Sequence, residues 1–202
     1  MNCGLSQAVL ASNPAGFSGR PRGGKKGEFP LLAGPERSVS ARLRLKSWLE
    51  TLESYGLKPV TVLHGNWDAR SGYAGALQML REAPHFTAVL VANDQMALGV
   101  LSAFHQQQLS IPGQKSVIGY DDTYESSFFY PALTTVSLDL DMQGKEAVRR
   151  LLEASESDVS RLSSILPARL VIRHSTGPRA DDTPDMRKIA DELRLIASRL
   201  SQ

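Results

Sequence analysis

Between residues 31 and 173, short apolar runs alternate with longer stretches in which apolar residues recur at helical spacing. The run LLAG at 31–34 predicts a short buried strand that stops at a Gly-Pro turn. Leu45, Trp48, Leu49, Leu52 and Tyr55 then fall on one helical face. Ser38 or Ser40 can cap that helix, and Gly56 can end it. Further on, the pattern predicts strands at 59–63, 87–92, 116–120, 133–138 and 166–173, with helices at 70–81, 95–107 and 142–152. Strands separated by single helices imply βαβ units, so the expected fold class is α/β: a doubly wound parallel sheet with right-handed crossovers. In such sheets ligands bind beyond the carboxyl ends of the strands, which is where chemistry is to be sought.

The two ends of the chain break this rhythm. Residues 1–29 are rich in Gly, Pro and basic side chains, lack hydrophobic periodicity and are expected to form an irregular tail. Residues 30–178 hold the alternating pattern, and 179–184 form a polar linker. In 185–202, Met186, Ile189, Leu193, Ile196 and Leu200 repeat at spacings of three and four, a heptad seam. A helix this short is marginal in isolation, so the seam is expected to pair with other copies as an oligomerisation helix.

Composition alters this picture little. The chain has 23 basic and 21 acidic residues, but Arg20, Arg22, Lys25 and Lys26 sit in the tail against Glu28 alone. The rest is therefore slightly acidic, which argues against DNA binding by the folded part, because that needs a concentrated basic surface. There is no apolar run long enough for a membrane span and no signal-peptide pattern. The single cysteine, Cys3, has no internal disulfide partner, and no Cys/His cluster suggests a metal. A cytoplasmic location, no membrane partner, no cofactor and no metal are expected. GxSxG, HExxH and P-loop patterns are missing, so no catalytic residue is assigned and the chain is not expected to be an enzyme.

Four strand or helix ends bring candidate residues to one edge of the predicted sheet. Asn93 and Asp94 follow the strand at 87–92; each suits a helix cap, and Asn93 also suits a ligand hydroxyl. Asp121 and Asp122 follow the strand at 116–120, where a carboxylate can accept two sugar hydroxyls and where paired aspartates also start turns. Arg44 lies early in the first helix, and Trp67 follows the second strand. A guanidinium fork suits vicinal hydroxyls, and an indole suits the C–H face of a sugar ring. Arg, Trp, Asn and Asp on one edge form a set suited to a polyhydroxylated ligand.

The stretches LLAGPERSVSARLRLKSW, GNWDARSGYAGALQML, VLVANDQMALGVL, SVIGYDDTYESSFFYPALTTV and LPARLVIRH carry a resemblance from residue 31 to 174. They are similar to sugar-responsive repressors of the lactose type, within a wider family that includes periplasmic sugar-binding proteins. The resemblance implies a periplasmic-binding-protein-like fold and a galactoside-like inducer. It further implies assembly into dimers, and into tetramers through the C-terminal helix. Operator DNA would be contacted only through a separate head that has no counterpart in this sequence. Carried over by motif, Arg44, Asn93 and Asp121 would hydrogen-bond sugar hydroxyls, Trp67 would pack on the ring, and Ser40 would lie close by. Ser126, Phe128, Phe129 and Tyr130 fall in a segment that resembles the family's dimer surface, which suits their aromatic character.

Three departures from the family pattern shape further expectations. Most of the N-terminal subdomain has no counterpart, and a frameshift or misassigned start near Pro30 accounts for residues 1–29; upstream DNA with no helix-turn-helix in any nearby frame would refute that hypothesis. Residues 139–167 resemble a segment of the missing subdomain, so Val148, Leu151 and Leu152 are expected to be exposed or repacked. Leu138 and Leu140 stand where the lactose type has a glutamine and an aromatic residue, removing a polar contact that lactose-like specificity would use. Alternative readings are a free sugar-binding protein of periplasmic type and an assembly module that joins full-length repressors. For the second, deletion of 185–202 is expected to halve the assembly in light scattering.

Overall fold

The computed structural model describes residues 29–153 and 168–177. Six strands form one sheet: β1 (Phe29–Ala33), β2 (Pro59–His64), β3 (Ala88–Val91), β4 (Ser116–Asp121), β5 (Thr134–Ser137) and β6 (Arg169–Val171), in the order β2-β1-β3-β4-β5-β6. The first five are parallel, and β6 runs antiparallel to β5 along the edge. The fold is the expected α/β class. The late strand is shorter than expected, three residues, because the chain then leaves the ladder to pack its hydroxyls underneath. There Ser175 Oγ donates to the Val117 carbonyl (2.6 Å) and accepts from Thr134 N–H (2.7 Å).

Helix α1 (Val39–Ser54) follows β1, and of the two candidate caps Ser38 takes the role, its Oγ accepting from Ala41 N–H. Gly56 ends the turn after it at φ 65°, a left-handed conformation that only glycine adopts without strain. Helix α2 (Ala69–Glu82) is capped by Asp68, whose carboxylate accepts from Ser71 N–H at 2.7 Å. Helix α3 (Asp94–Gln106) corrects one expectation: the cap is Asn93, whose Oδ1 accepts from Met96 N–H (2.9 Å). Asp94 is the first residue inside that helix, and its side chain turns into the core.

The direction of strand order reverses between β1 and β3, so α1 covers one face of the sheet while α2 and α3 share the other. Leu31, Leu32, Val89, Val91, Val117 and Ile118 of the strands share one buried core with Met96, Val100 and Phe104 of α3, consecutive strand residues facing opposite sides of the sheet. Helices α2 and α3 touch backbone to backbone. A Cβ on Gly99 would stand 1.9 Å from the Ala69 carbonyl oxygen, and one on Gly72 would stand 2.0 Å from that of Met96. Only glycine permits this approach.

Helix α4 (Leu140–Glu153) leads away from β5. Its Met142, Val148, Leu151 and Leu152 are exposed, matching the expectation for the last three. Its side chains pair locally instead: Glu146 with Arg149 and Arg150, and Asp141 with Lys145. Among the described residues, no helix is long and apolar enough to cross a membrane. The tail at 1–28, the remainder of the 139–167 segment, the linker 179–184 and the helix carrying Met186, Ile189, Leu193, Ile196 and Leu200 lie outside the described residues.

Candidate functional site

At the reversal of strand order, the loops after β1, β2, β3 and β4 meet in a wall at the carboxyl edge, the place where open α/β sheets hold ligands. Arg44 reaches this wall from α1. One guanidinium nitrogen donates to the carbonyl of Ala92 at the end of β3. The other donates to Asp121 Oδ1 at 3.0 Å, forming an ion pair with both side chains mostly shielded from water. The guanidinium lies 3.8 Å from the centre of the Tyr120 ring and 5.5 Å from that of Trp67, close enough for cation–π attraction. Three types of contact therefore fix one side chain.

Trp67 itself is held by unusual backbone. Its φ is +68°, and its indole lies flat on Gly34, where a Cβ would come within 2.2 Å of the ring. Asn93 links the two loops: its Nδ2 donates to the Trp67 carbonyl (2.9 Å) and to Gln95 Oε1 (3.0 Å) while its Oδ1 caps α3. The cap and the ligand-facing reading of Asn93 thus describe one residue, already engaged on both sides of its amide. Ser40 is exposed one helical turn before Arg44, so the two share a face, and its hydroxyl pairs with that of Ser38 at 3.0 Å.

Asp121 and Asp122 are both left-handed in backbone, with φ of +112° and +54°. Non-glycine residues hold such conformations at a cost of about 1–3 kcal/mol each, so the surroundings must impose them. The two carboxylates divide their partners. Asp121 takes Arg44; Asp122 takes Arg173 at 2.6 Å, and Arg173 also donates to Ser126 Oγ and the Leu133 carbonyl. Burial pushes the Asp121 carboxyl above its ordinary value, with Arg44 pulling the other way and Asp94 adding to the rise. Burial likewise raises Asp94 and the Tyr120 hydroxyl.

The residues expected from sequence thus come together in part. Arg44, Trp67, Asn93 and Asp121 form a single connected group, and Ser40 sits at its rim. Tyr120 was missed, although an aromatic residue directly before the aspartate pair was a usable signal. Arg173 was missed as well, and 51 residues of separation from Asp122 left no pattern to find it by. In the segment compared with a dimer surface, Ser126 is buried and Phe129 packs partly on the core. Phe128 and Tyr130 are exposed, joined by Tyr124, whose ring lies 5.3 Å from that of Phe128.

Comparison with known proteins gives this wall a setting. Residues 28–176 match the family model described as a periplasmic binding protein-like domain. The lactose operon repressor of Klebsiella pneumoniae is 46% identical over 173 residues, covering 86% of this chain and 49% of that repressor. The lactose operon repressor of Escherichia coli K12 is 41% identical over 87% of this chain and 49% of its own length. The chain thus spans about half the length of the curated relatives it matches. A solved dimeric Lac repressor with an 11-residue C-terminal deletion superimposes with a TM-score of 0.73 at 36% identity, over 88% of this chain and 62% of that one. A complex of the transcriptional regulator CelR with cellobiose does so with a TM-score of 0.69 at 25% identity, over 86% and 52%. The chain belongs to the periplasmic binding protein-like domain family and is a homologue of lactose operon repressors.

Proposed function

We propose that this chain forms the effector-binding part of a transcriptional repressor, and that the effector is a galactoside-like sugar. The observation that carries the reading is the Arg44 cluster. A guanidinium held between Tyr120 and Trp67 presents its remaining N–H groups beside the Asp121 carboxylate, at the carboxyl edge of the sheet. Donor and acceptor side by side suit vicinal hydroxyls, and the Trp67 indole suits the ring's C–H face. A sugar hydroxyl entering here exchanges the Arg44–Asp121 pair for bonds to both groups. One wall supplies few of the contacts a sugar needs, so weak binding in the millimolar range is expected, worth about 4 kcal/mol.

The exposed Tyr124, Phe128 and Tyr130 support a self-association surface beside this wall, consistent with effector control of an assembled repressor. Following backbone and indole N–H signals during titration with isopropyl-thiogalactoside tests the sugar reading. Saturable changes at Trp67, Asn93 and Asp121 are expected. Unmoved signals at these residues, or changes concentrated at another surface, would refute it.

A further inference from the structure

Asp94 contributes nothing to the sugar wall directly, yet its carboxylate is completely buried at the start of α3, and every bond it makes leads to the turn carrying Asp121. Its Oδ2 accepts from Thr123 N–H at 2.8 Å and from the Thr123 hydroxyl at 3.4 Å. Its Oδ1 accepts from the Thr135 hydroxyl of β5 at 2.6 Å. That same hydroxyl accepts in turn from Asp122 N–H at 3.4 Å. Two consecutive backbone N–H groups, those of Asp122 and Thr123, are thus tied to one buried carboxylate, the first through Thr135. The preceding residue is Asp121, and both Asp121 and Asp122 stand in left-handed backbone. Gly119 completes the arrangement, since a Cβ there would stand 2.3 Å from Asp94 Oδ1.

We infer that Asp94 and Thr135 are positioning residues for effector binding: together they anchor the strained turn that aims the Asp121 carboxylate at Arg44 and the ligand. Without this anchor the turn relaxes toward ordinary backbone, and the Asp121 side chain swings away from the guanidinium. Burial that raises the Asp94 carboxyl is the cost of placing an acceptor in the core, and hydrogen bonds from Thr135, from Thr123 and from the Tyr120 backbone offset it. The inference rests on the sugar reading of the wall, but the anchor itself is observable without sugar.

The test compares Thr135→Val, which removes the hydroxyl and keeps the shape, with Thr135→Ser, which keeps the hydroxyl. In Thr135→Val, isopropyl-thiogalactoside affinity is expected to fall about tenfold, the scale of one buried hydrogen bond, while Thr135→Ser stays near the wild type. Without ligand, Thr135→Val is also expected to shift the Arg44 Nε–H signal. It speeds amide exchange at Asp122 and Thr123 while leaving Leu32 and Val89 in the sheet protected. Unchanged affinity in Thr135→Val, or exchange accelerated evenly across the sheet, overturns the inference. If the wild type binds no sugar, the proposed function falls. The anchor is then judged on the ligand-free signals alone, and an unmoved Arg44 Nε–H overturns it too.

Discussion

Helices α3 and α4 are of nearly equal length, 13 and 14 residues, and both carry an apolar stripe, yet they end in opposite environments. Met96, Val100, Leu101 and Phe104 of α3 are buried, and its Gly99 lets α2 come into backbone contact. Val148, Leu151 and Leu152 of α4 face outward, and the helix is supported by Glu146 and its arginines. An apolar stripe therefore states that a helix has a face to bury, not what will cover it. The glycines are what distinguish the pair: α3 has one at a packed crossing, whereas Gly144 of α4 has nothing within 4 Å of its missing Cβ.

The strongest challenge to that contrast is to fill the α2–α3 crossing. Gly99→Leu is expected to cost at least about 3 kcal/mol, because the Ala69 carbonyl has no room to retreat. Urea unfolding measures this, and a loss below about 1 kcal/mol would mean the crossing adjusts freely. A smaller effect is expected beneath α3, where Phe104 meets Phe86 at 6.0 Å between ring centres. Lys115 props up that ring, its ammonium lying 4.1 Å from the Phe86 centre and donating to the Pro84 and Phe86 carbonyls. Burial pushes its pKa down to about 8, yet both carbonyls need a donor. Lys115→Met is expected to destabilise by about 1–3 kcal/mol in the same urea assay, and an unchanged midpoint would show the carbonyls are satisfied without it.

Acidification separates the two helices in sign. Hydrogen bonds from Arg149 and Arg150 hold Glu146 at about 2, below its ordinary 4.5. Its support for α4 is therefore present above about 4.5 and lost as pH falls through about 2. The Asp94 carboxyl of α3 is raised by burial above its ordinary 3.8. Its contribution runs the other way, full below 3.8 and lost as pH rises through the raised value. On acidification the amide signals at the start of α3 should thus shift first, above pH 3.8, and those of α4 only as pH falls toward about 2; the reverse order would contradict the assignment. The least effect belongs to Leu151→Ser, for which the unfolding midpoint should move by no more than about 0.5 kcal/mol, since the side chain is already in water. A loss above about 2 kcal/mol would mean that this face is covered.

The sequence pattern made the sheet and its helices legible because strand and helix periods differ, and because TAVLVA and SVIGY each deliver polar residues at one edge. Legibility stopped where placement depends on contacts across the fold. Asn93 and Asp94 both suit a cap, and which one turns inward depends on Thr135, 41 residues away, and on the space above Gly119. Arg44 was visible as a candidate, but the ring beneath it, Tyr120, belongs to a strand whose alternation alone gives no hint of a cation. The aromatic segment was visible too, though only the turn geometry shows that Ser126 faces inward and Tyr124 outward.

The central claim is that Arg44 organises an effector wall, and Trp67 emission tests it most directly. Trp48 is buried, so a Trp48→Phe background leaves Trp67 as the only indole, 5.5 Å from the guanidinium. Titration with isopropyl-thiogalactoside is expected to give a saturable change in that emission, and Arg44→Ala to weaken it about tenfold or more, the loss of one charge-assisted contact. Equal affinity with and without the Arg44 guanidinium would contradict the account.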